Sequence, residues 1–194
     1  MCIDDLTNSM DKGQAVGLVL FDLSAAFDTI DHNILLSCLK HWYGLEGVVL
    51  GWVESYLDSR KQKIKADGLL SDAFLLPHGV PQGSVLGPLL FTLYTTPLSH
   101  IVSKYNVTHH LYADDTQIYL KIDSQNANSN LLELAHCLDA IQSWMTNNKL
   151  KLDPDKTEFI LIGDKNSRNS LEALFPVNIM GTVVEPATSV KNLD

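Results

Sequence analysis

The stretch Leu111-Tyr112-Ala113-Asp114-Asp115-Thr116 concentrates the groups most capable of chemistry. Two adjacent carboxylates repel each other, and a fold that displays them on a rigid turn generally has a cation to neutralise them. Hard oxygen ligands of this kind suit Mg²⁺ or Mn²⁺. A third acid, Asp22, lies near the end of the apolar run Ala15 to Leu23 (AVGLVLFDL). An acid at the end of a greasy strand is costly unless something pairs with it. Each signal also has a plainer reading. Asp is a common turn residue, and a strand-end Asp can simply have reached solvent.

The surrounding patterns say which elements must hold these acids. Val107, Leu111 and Ala113 alternate before the pair, and Ile118, Leu120 and Ile122 alternate after it. A period of two on both sides predicts a hairpin with Asp114 and Asp115 at its tip. Ala15 to Leu23 reads as a buried central strand. Asp31 is placed to cap a helix carrying Ile34, Leu35, Cys38, Leu39 and Trp42, which Gly44 stops. Val48, Val49, Trp52, Val53, Tyr56 and Leu57 repeat the helical spacing, and both stripes read as core.

Arg60 to Lys65 (RKQKIK) is the one basic cluster and is expected to open a strand before an Ala66 to Leu70 turn. A solvated face is its default reading, and a phosphate-backbone contact is the sharper one. Leu76 to Pro88 (LPHGVPQGSVLGP) reads as an irregular loop feeding a helix over Leu89 to Tyr94. Its glycines Gly79, Gly83 and Gly87 would let backbone approach a ligand closely. Leu131, Leu134, Leu138, Ile141 and Met145 predict a long amphipathic helix, with Asn130 and Glu133 in capping-box register. Glu158 to Ile162 reads as a strand and Lys165 to Ser170 as a polar loop.

This order predicts an α+β fold: an antiparallel sheet with helices on one face, close to a split βαβ (ferredoxin-like) arrangement. That arrangement can bring the end of the first strand beside the hairpin tip, so that Asp22, Asp114 and Asp115 converge.

Composition bounds the reading. With 194 residues there is material for one good-sized core and a small appendage. A hydrophobic share of 45% against 19% charged is globular and excludes general disorder. The net charge of −9 conflicts with the basic footprint usual in nucleic-acid binding. Cys2, Cys38 and Cys137 are odd in number and widely spaced, which suggests neither a disulfide framework nor a zinc site and fits a reducing compartment. Ala73 to Ser103 lacks Asp, Glu, Lys and Arg, but four prolines and several polar residues interrupt it, so no membrane span is expected.

Four motifs together resemble a known family. Phe21-Asp22-Leu23-Ser24-Ala25-Ala26-Phe27-Asp28, Gly79-Val80-Pro81-Gln82-Gly83-Ser84 and Tyr112-Ala113-Asp114-Asp115 look like successive palm motifs of reverse transcriptases. Asn148-Lys149-Leu150 followed by Lys156-Thr157 looks like the next. The wording is most similar to that of non-LTR (LINE-type) retrotransposons, over residues 15 to 163.

The resemblance implies an RNA-directed DNA polymerase with the palm fold of right-hand polymerases, joining a dNTP to a primer 3′-hydroxyl on an RNA template. Asp22 and Asp114 would hold two Mg²⁺ ions (Mn²⁺ a possible substitute), with Asp115 assisting and the Leu23 carbonyl as a backbone ligand. Two such ions stabilise charge on the entering and leaving oxygens. Phe27 matches the steric gate against a ribose 2′-hydroxyl, and its plainer reading is a core Phe. Gln82 and Gly83 would lie by the incoming nucleotide and template. Lys156 matches a general acid for the pyrophosphate, against the plainer reading of a surface lysine.

By the same resemblance, residues 1–14 are a leader or the end of a fingers region, 15–163 the palm, and 164–194 the start of a primer-grip and thumb connection. Basic fingers and thumb regions would be partners supplied from elsewhere in a longer protein, which would resolve the acidic charge. An intracellular protein is implied, nuclear for target-primed reverse transcription, with the cytoplasm as the alternative. Two other readings stay open at this point: an inactive remnant serving at most as an interaction module, and another two-metal palm enzyme. The Pro-Gln-Gly loop and Phe27 argue against the last.

Overall fold

A computed structural model describes residues 9, 14–112, 115–123, 125–153, 157–172, 174–175, 177–179 and 182–184. Its contacts divide the chain into two compact units. One comprises Met1–Ser24, Leu98–Asn147 and Lys151–Asp194, and the other Ala25–Pro97 with Asn148–Leu150.

The first unit is built on a four-stranded sheet. Its strands are β1 (Ala15–Phe21), β6 (Thr108–Tyr112), β7 (Asp115–Ile122) and β8 (Glu158–Ile162), in the order β6-β7-β1-β8. Every neighbouring pair is antiparallel. This is the strand order of a split βαβ sheet, and the α+β class expected from the sequence is the one found.

β1 sits between β7 and β8 and is buried along nearly its whole length, which explains its unbroken apolar composition. Val16 and Leu18 pack with Tyr119 and Ile160 on one face of the sheet. On the other, a side chain at Gly17 would meet Ile122 Cδ1 at 3.1 Å and Phe159 at 3.2 Å. The long helix α5 (Ala127–Asn147) packs along β7 and buries Leu131, Leu134, Cys137, Leu138, Ile141 and Met145. Burial, and after it the nearby Glu133, pushes the Cys137 thiol up to about 12. Fully buried among the apolar side chains of α5, it serves as a packing group.

Two expectations for this unit change. Asn130 and Glu133 do not form a capping box, because α5 begins three residues earlier, at Ala127. Instead Asn130 Oδ1 accepts from the Asp123 N–H (3.2 Å) and Glu133 Oε1 from the Asn106 N–H (2.8 Å). Both side chains therefore bind the loops entering β6 and leaving β7. The segment expected as a polar loop from Lys165 is a short helix, α6 (Lys165–Glu172). Asp164 starts it by accepting the Ser167 N–H at 2.8 Å, and Leu171 is buried beneath it. Beyond it, β9 (Val177–Ile179) and β10 (Thr182–Val184) form a two-stranded ribbon.

The second unit begins with helices α1 (His32–Tyr43) and α2 (Gly47–Leu57). Asp31 caps α1 by accepting from the Asn33 and Ile34 N–H groups, and Gly44 ends it in the left-handed region, as the sequence predicts. The expectation that both apolar stripes are core holds only in part. Leu35, Leu39, Val53 and Leu57 are buried, but Trp42, Val48, Val49 and Trp52 stand exposed.

A hairpin with an interrupted ladder follows. β2 (Lys61–Gln62) pairs with β5 (Phe74–Leu75), and β3 (Lys65–Ala66) with β4 (Leu69–Leu70). Asp67 and Gly68, with φ of 49° and 81°, make its turn, the positive-φ pair that a tight two-residue connection requires. Ser71 bridges the break: its N–H donates to the Ile64 carbonyl and its hydroxyl accepts the Ile64 N–H. Helix α3 (Leu86–Thr95) closes the unit, with Leu90, Phe91 and Tyr94 buried, and the short helix α4 (Pro97–Val102) follows it.

Candidate active site

In the first unit the site is built at one end of the sheet. Phe21 lies opposite Thr116 in the β1–β7 register, so the next residues along, Asp22 and Asp115, come to the same sheet end. Asp115 also pairs with Tyr112 across the hairpin. Asp22 is held by its own backbone. Its Oδ1 accepts the Leu23 N–H at 2.8 Å, and its carbonyl accepts the Asp153 N–H at 3.0 Å. Leu23 is buried and forms a bridge with Leu152, and the Ser24 N–H donates to the Lys151 carbonyl at 2.8 Å. The chain leaving β1 is thus tied to residues 151–153, and the carboxylate is presented from a fixed backbone.

Side chains two apart on a strand share a face. Gln117 therefore lies on the Asp115 side of β7, and its Oε1 is buried without a hydrogen-bond partner. The oxygens gathered on this face are hard donors of the kind a divalent cation takes. Among the described residues no group of three His, Cys, Asp or Glu side chains forms a metal cluster. Asp114, the remaining acid of the expected set, lies outside the described residues, as does Lys156. Nearby on β6, burial and then the adjacent His110 hold His109 below its ordinary imidazole value.

The second unit places Phe27, Gln82 and Gly83. Phe27 is half-buried, its ring stacked on fully buried Phe91 at 4.7 Å between centroids. It stands on a turn in which Ala25 takes a φ of 51° and Ala25 O accepts the Asp28 and Thr29 N–H groups. The Gly/Pro loop is zipped onto this turn. The Val80 N–H donates to Phe27 O and the Gly79 N–H to Ile30 O, both at 2.8 Å. Asp31 and His78 form a bridge, and His32 Nε2 donates to Gly79 O at 2.8 Å. Gly79 has a φ of 84°, and a Cβ there would come within 2.9 Å of Asp28 Cα. Only glycine fits.

Gln82 and Gly83 are exposed at the end of this loop. Gln82 Nε2 donates to both carboxylate oxygens of Asp28 at 3.3 Å, which engages the amide's donors and directs its carbonyl oxygen elsewhere. In the sequence, nothing marks Asp28 beyond its place in the first motif. A second long-range contact fixes the Asn148-Lys149-Leu150 segment. Buried Tyr94 donates its hydroxyl to Asn148 O at 2.5 Å, and burial pushes that hydroxyl well above its ordinary value.

Comparison with known proteins decides the family. The sequence pattern described as "Reverse transcriptase (RNA-dependent DNA polymerase)" matches residues 1–193. The chain belongs to the reverse transcriptase family. Among its relatives, the RNA-directed DNA polymerase from mobile element jockey of Drosophila melanogaster is 34% identical over 151 residues, covering 75% of this chain and 16% of the relative. The probable RNA-directed DNA polymerase from transposon BS of the same organism is 30% identical over 157 residues, covering 78% of this chain and 17% of the relative. The non-LTR resemblance read from the motifs is therefore borne out, and this reverse transcriptase chain spans about a sixth of the length of these relatives.

Solved structures agree on the fold. Apo telomerase from Candida tropicalis, truncated from its C-terminal domain, superposes with a TM-score of 0.63 at 16% identity, covering 82% of this chain and 34% of that one. Telomerase from Candida albicans, solved in complex with a fragment of telomeric RNA, gives 0.61 at 14% identity, covering 84% of this chain and 31% of that one. Both comparisons agree with a polymerase palm.

Proposed function

We propose that this reverse transcriptase chain performs nucleotidyl transfer within a longer polymerase, joining a dNTP to a DNA primer on an RNA template. The observation that carries the reading is the arrival of Asp22 and Asp115 at one sheet end, one residue beyond the Phe21–Thr116 pair. Asp22, Asp114, Asp115 and the Leu23 carbonyl would hold two Mg²⁺ ions, with Mn²⁺ as a substitute. When bound, such ions neutralise charge on the entering and leaving oxygens of an in-line displacement.

The chain's own residues position and select. The bond from the Leu23 N–H holds one oxygen of Asp22 in place before any substrate arrives. Phe27, backed by the buried Phe91 ring, would fill the space a ribose 2′-hydroxyl needs and so favour deoxynucleotides. Gln82, its amide oriented by Asp28, would face the incoming nucleotide with its carbonyl oxygen, while Gly83 leaves room for backbone approach. Lys156 would donate a proton to the departing pyrophosphate.

Residues 15–163 would serve as the palm, residues 1–14 would lead in from the fingers, and residues 164–194 would lead toward a primer grip and thumb. No helix among the described residues is long and apolar enough to cross a membrane. A nuclear location follows from the reading, because target-primed synthesis takes place on chromosomal DNA.

The test is primer extension on an RNA template with dNTPs and Mg²⁺, in this chain and in a version extended by the flanking polymerase regions. Asp22→Asn and Asp114→Asn serve as controls. Loss of a metal-holding carboxylate should slow extension at least about 100-fold, since such charge stabilisation is worth several kcal/mol. Extension by the extended protein that survives both substitutions would refute the assignment. No extension from any version would leave the chain an inactive remnant.

A further inference from the structure

One surface of the second unit has no place in this chemistry. On α2, Trp52 and Tyr56 are one helical turn apart, and their rings stack nearly parallel, 6.0 Å between centroids at 14°. Arg60, four residues further on, sets its guanidinium over the Tyr56 ring at 5.2 Å. The three planar groups make a ladder whose first rung, Trp52, is 57% exposed. Arg60 opens the hairpin, its carbonyl accepting the Leu76 N–H, and Lys61, Lys63 and Lys65 follow at every second residue, all exposed.

The acids nearby are segregated from the ladder. Glu54 lies about 200° round the helix from Trp52 and, with Asp58, lines a cavity of about 320 Å³ beside His32 and Asn33. Asp67 sits in the hairpin turn past Lys65, while Asp72 is on the return arm between Ser71, which pairs with Ile64, and Phe74, which pairs with Gln62. In a chain of net charge −9, four cations in six residues, joined to an aromatic ladder whose first rung is exposed, are a local reversal of sign.

We infer that Trp52, Tyr56, Arg60 and the lysines Lys61, Lys63 and Lys65 form a binding strip for single-stranded nucleic acid. A base stacks on the open face of Trp52, and the lysines run beside the phosphates. Stacking platforms flanked by cations bind single strands with little regard to sequence, because every base has a π-face and every linkage a charge. The strip deepens the nucleic-acid reading given above, yet it binds without any nucleotide transfer.

The test is fluorescence anisotropy of 5′-labelled dT and rU 12-mers with this chain across a salt series. Trp52→Ala should weaken binding about tenfold with the salt slope unchanged, and Trp52→Phe should restore most of the loss. The triple change Lys61→Glu, Lys63→Glu, Lys65→Glu should lower the slope of log affinity against log salt by at least about 2, at roughly 0.7 per phosphate contact. All four side chains are exposed, so each variant should keep the circular dichroism of the parent. Absence of binding by the parent chain, or parental affinity in both Trp52→Ala and the lysine variant, would overturn the strip and leave this face to a protein contact. Retained binding with no primer extension by the extended protein would sustain the strip while refuting the polymerase reading.

Discussion

Gly79 and the Asp28–Gln82 pair show how few atoms hold the Gly/Pro loop in shape. Gly79 is left-handed and already packed against the Asp28 backbone. Gly79→Ala therefore adds a methyl where there is no room, in a conformation that L-residues avoid. It should destabilise the protein by at least about 2 kcal/mol, read as a shift of the urea midpoint, and an unchanged midpoint would contradict the zipped loop. The Gln82 amide and the Asp28 carboxylate are coupled by two long, exposed hydrogen bonds, so their mutual energy should be modest, about 0.5–1 kcal/mol. A double-mutant cycle of Asp28→Ala and Gln82→Ala measures it. In the polymerase assay Asp28→Ala should raise the KM for dNTP with little change in kcat, and that loss should vanish once Gln82 is Ala.

At the scale of elements, the β6–β7 ribbon carries a proton-linked weakness. His109 lies on β6 opposite Ile118, and burial, with His110 beside it, keeps its folded value below 6.5. The folded state prefers the neutral ring, so the unfolded chain takes up the proton first as pH falls. The stabilisation is complete above the unfolded value and is lost as pH drops through it toward the folded one. The urea midpoint should therefore fall below about pH 6.5, and His109→Gln should remove that part of the slope. A parental slope in the variant would assign it to other groups. The helices follow local rules more closely. The Asp31 cap and the Gly44 stop of α1 are both legible in sequence because each acts within four residues of itself.

At the scale of the whole molecule, exposed apolar surface is distributed unevenly. Of thirteen large apolar side chains that stand exposed among the described residues, eleven fall within residues 25–97, from Trp42 to Leu89. Exposed apolar surface on that scale marks contact sites or adhesive faces. The folded chain should bind an apolar fluorescent dye at neutral pH. Leu69→Ser with Leu70→Ser, on the exposed β4 arm, should reduce the signal without altering secondary structure. Dye fluorescence at the background of a typical compact monomer would refute this.

The sequence alone determined what depends on period and on near neighbours. The alternation around Asp114 and Asp115 implied the hairpin, the unbroken run of Ala15 to Leu23 implied a strand buried on both faces, and together they brought Asp22 and Asp115 to one sheet end. Four motifs in order gave the family. Tertiary structure alone decided which apolar residues are core. The Trp42 and Trp52 stripes have helical spacing, but burial depends on what packs against a helix, and spacing does not encode that. It also decided the polar partners, since Gln82 lies 54 residues from Asp28, Tyr94 54 from Asn148, and Glu133 27 from Asn106. A hydrogen bond between residues so far apart leaves no periodic trace in the chain; it exists only once the fold has closed the loop between them.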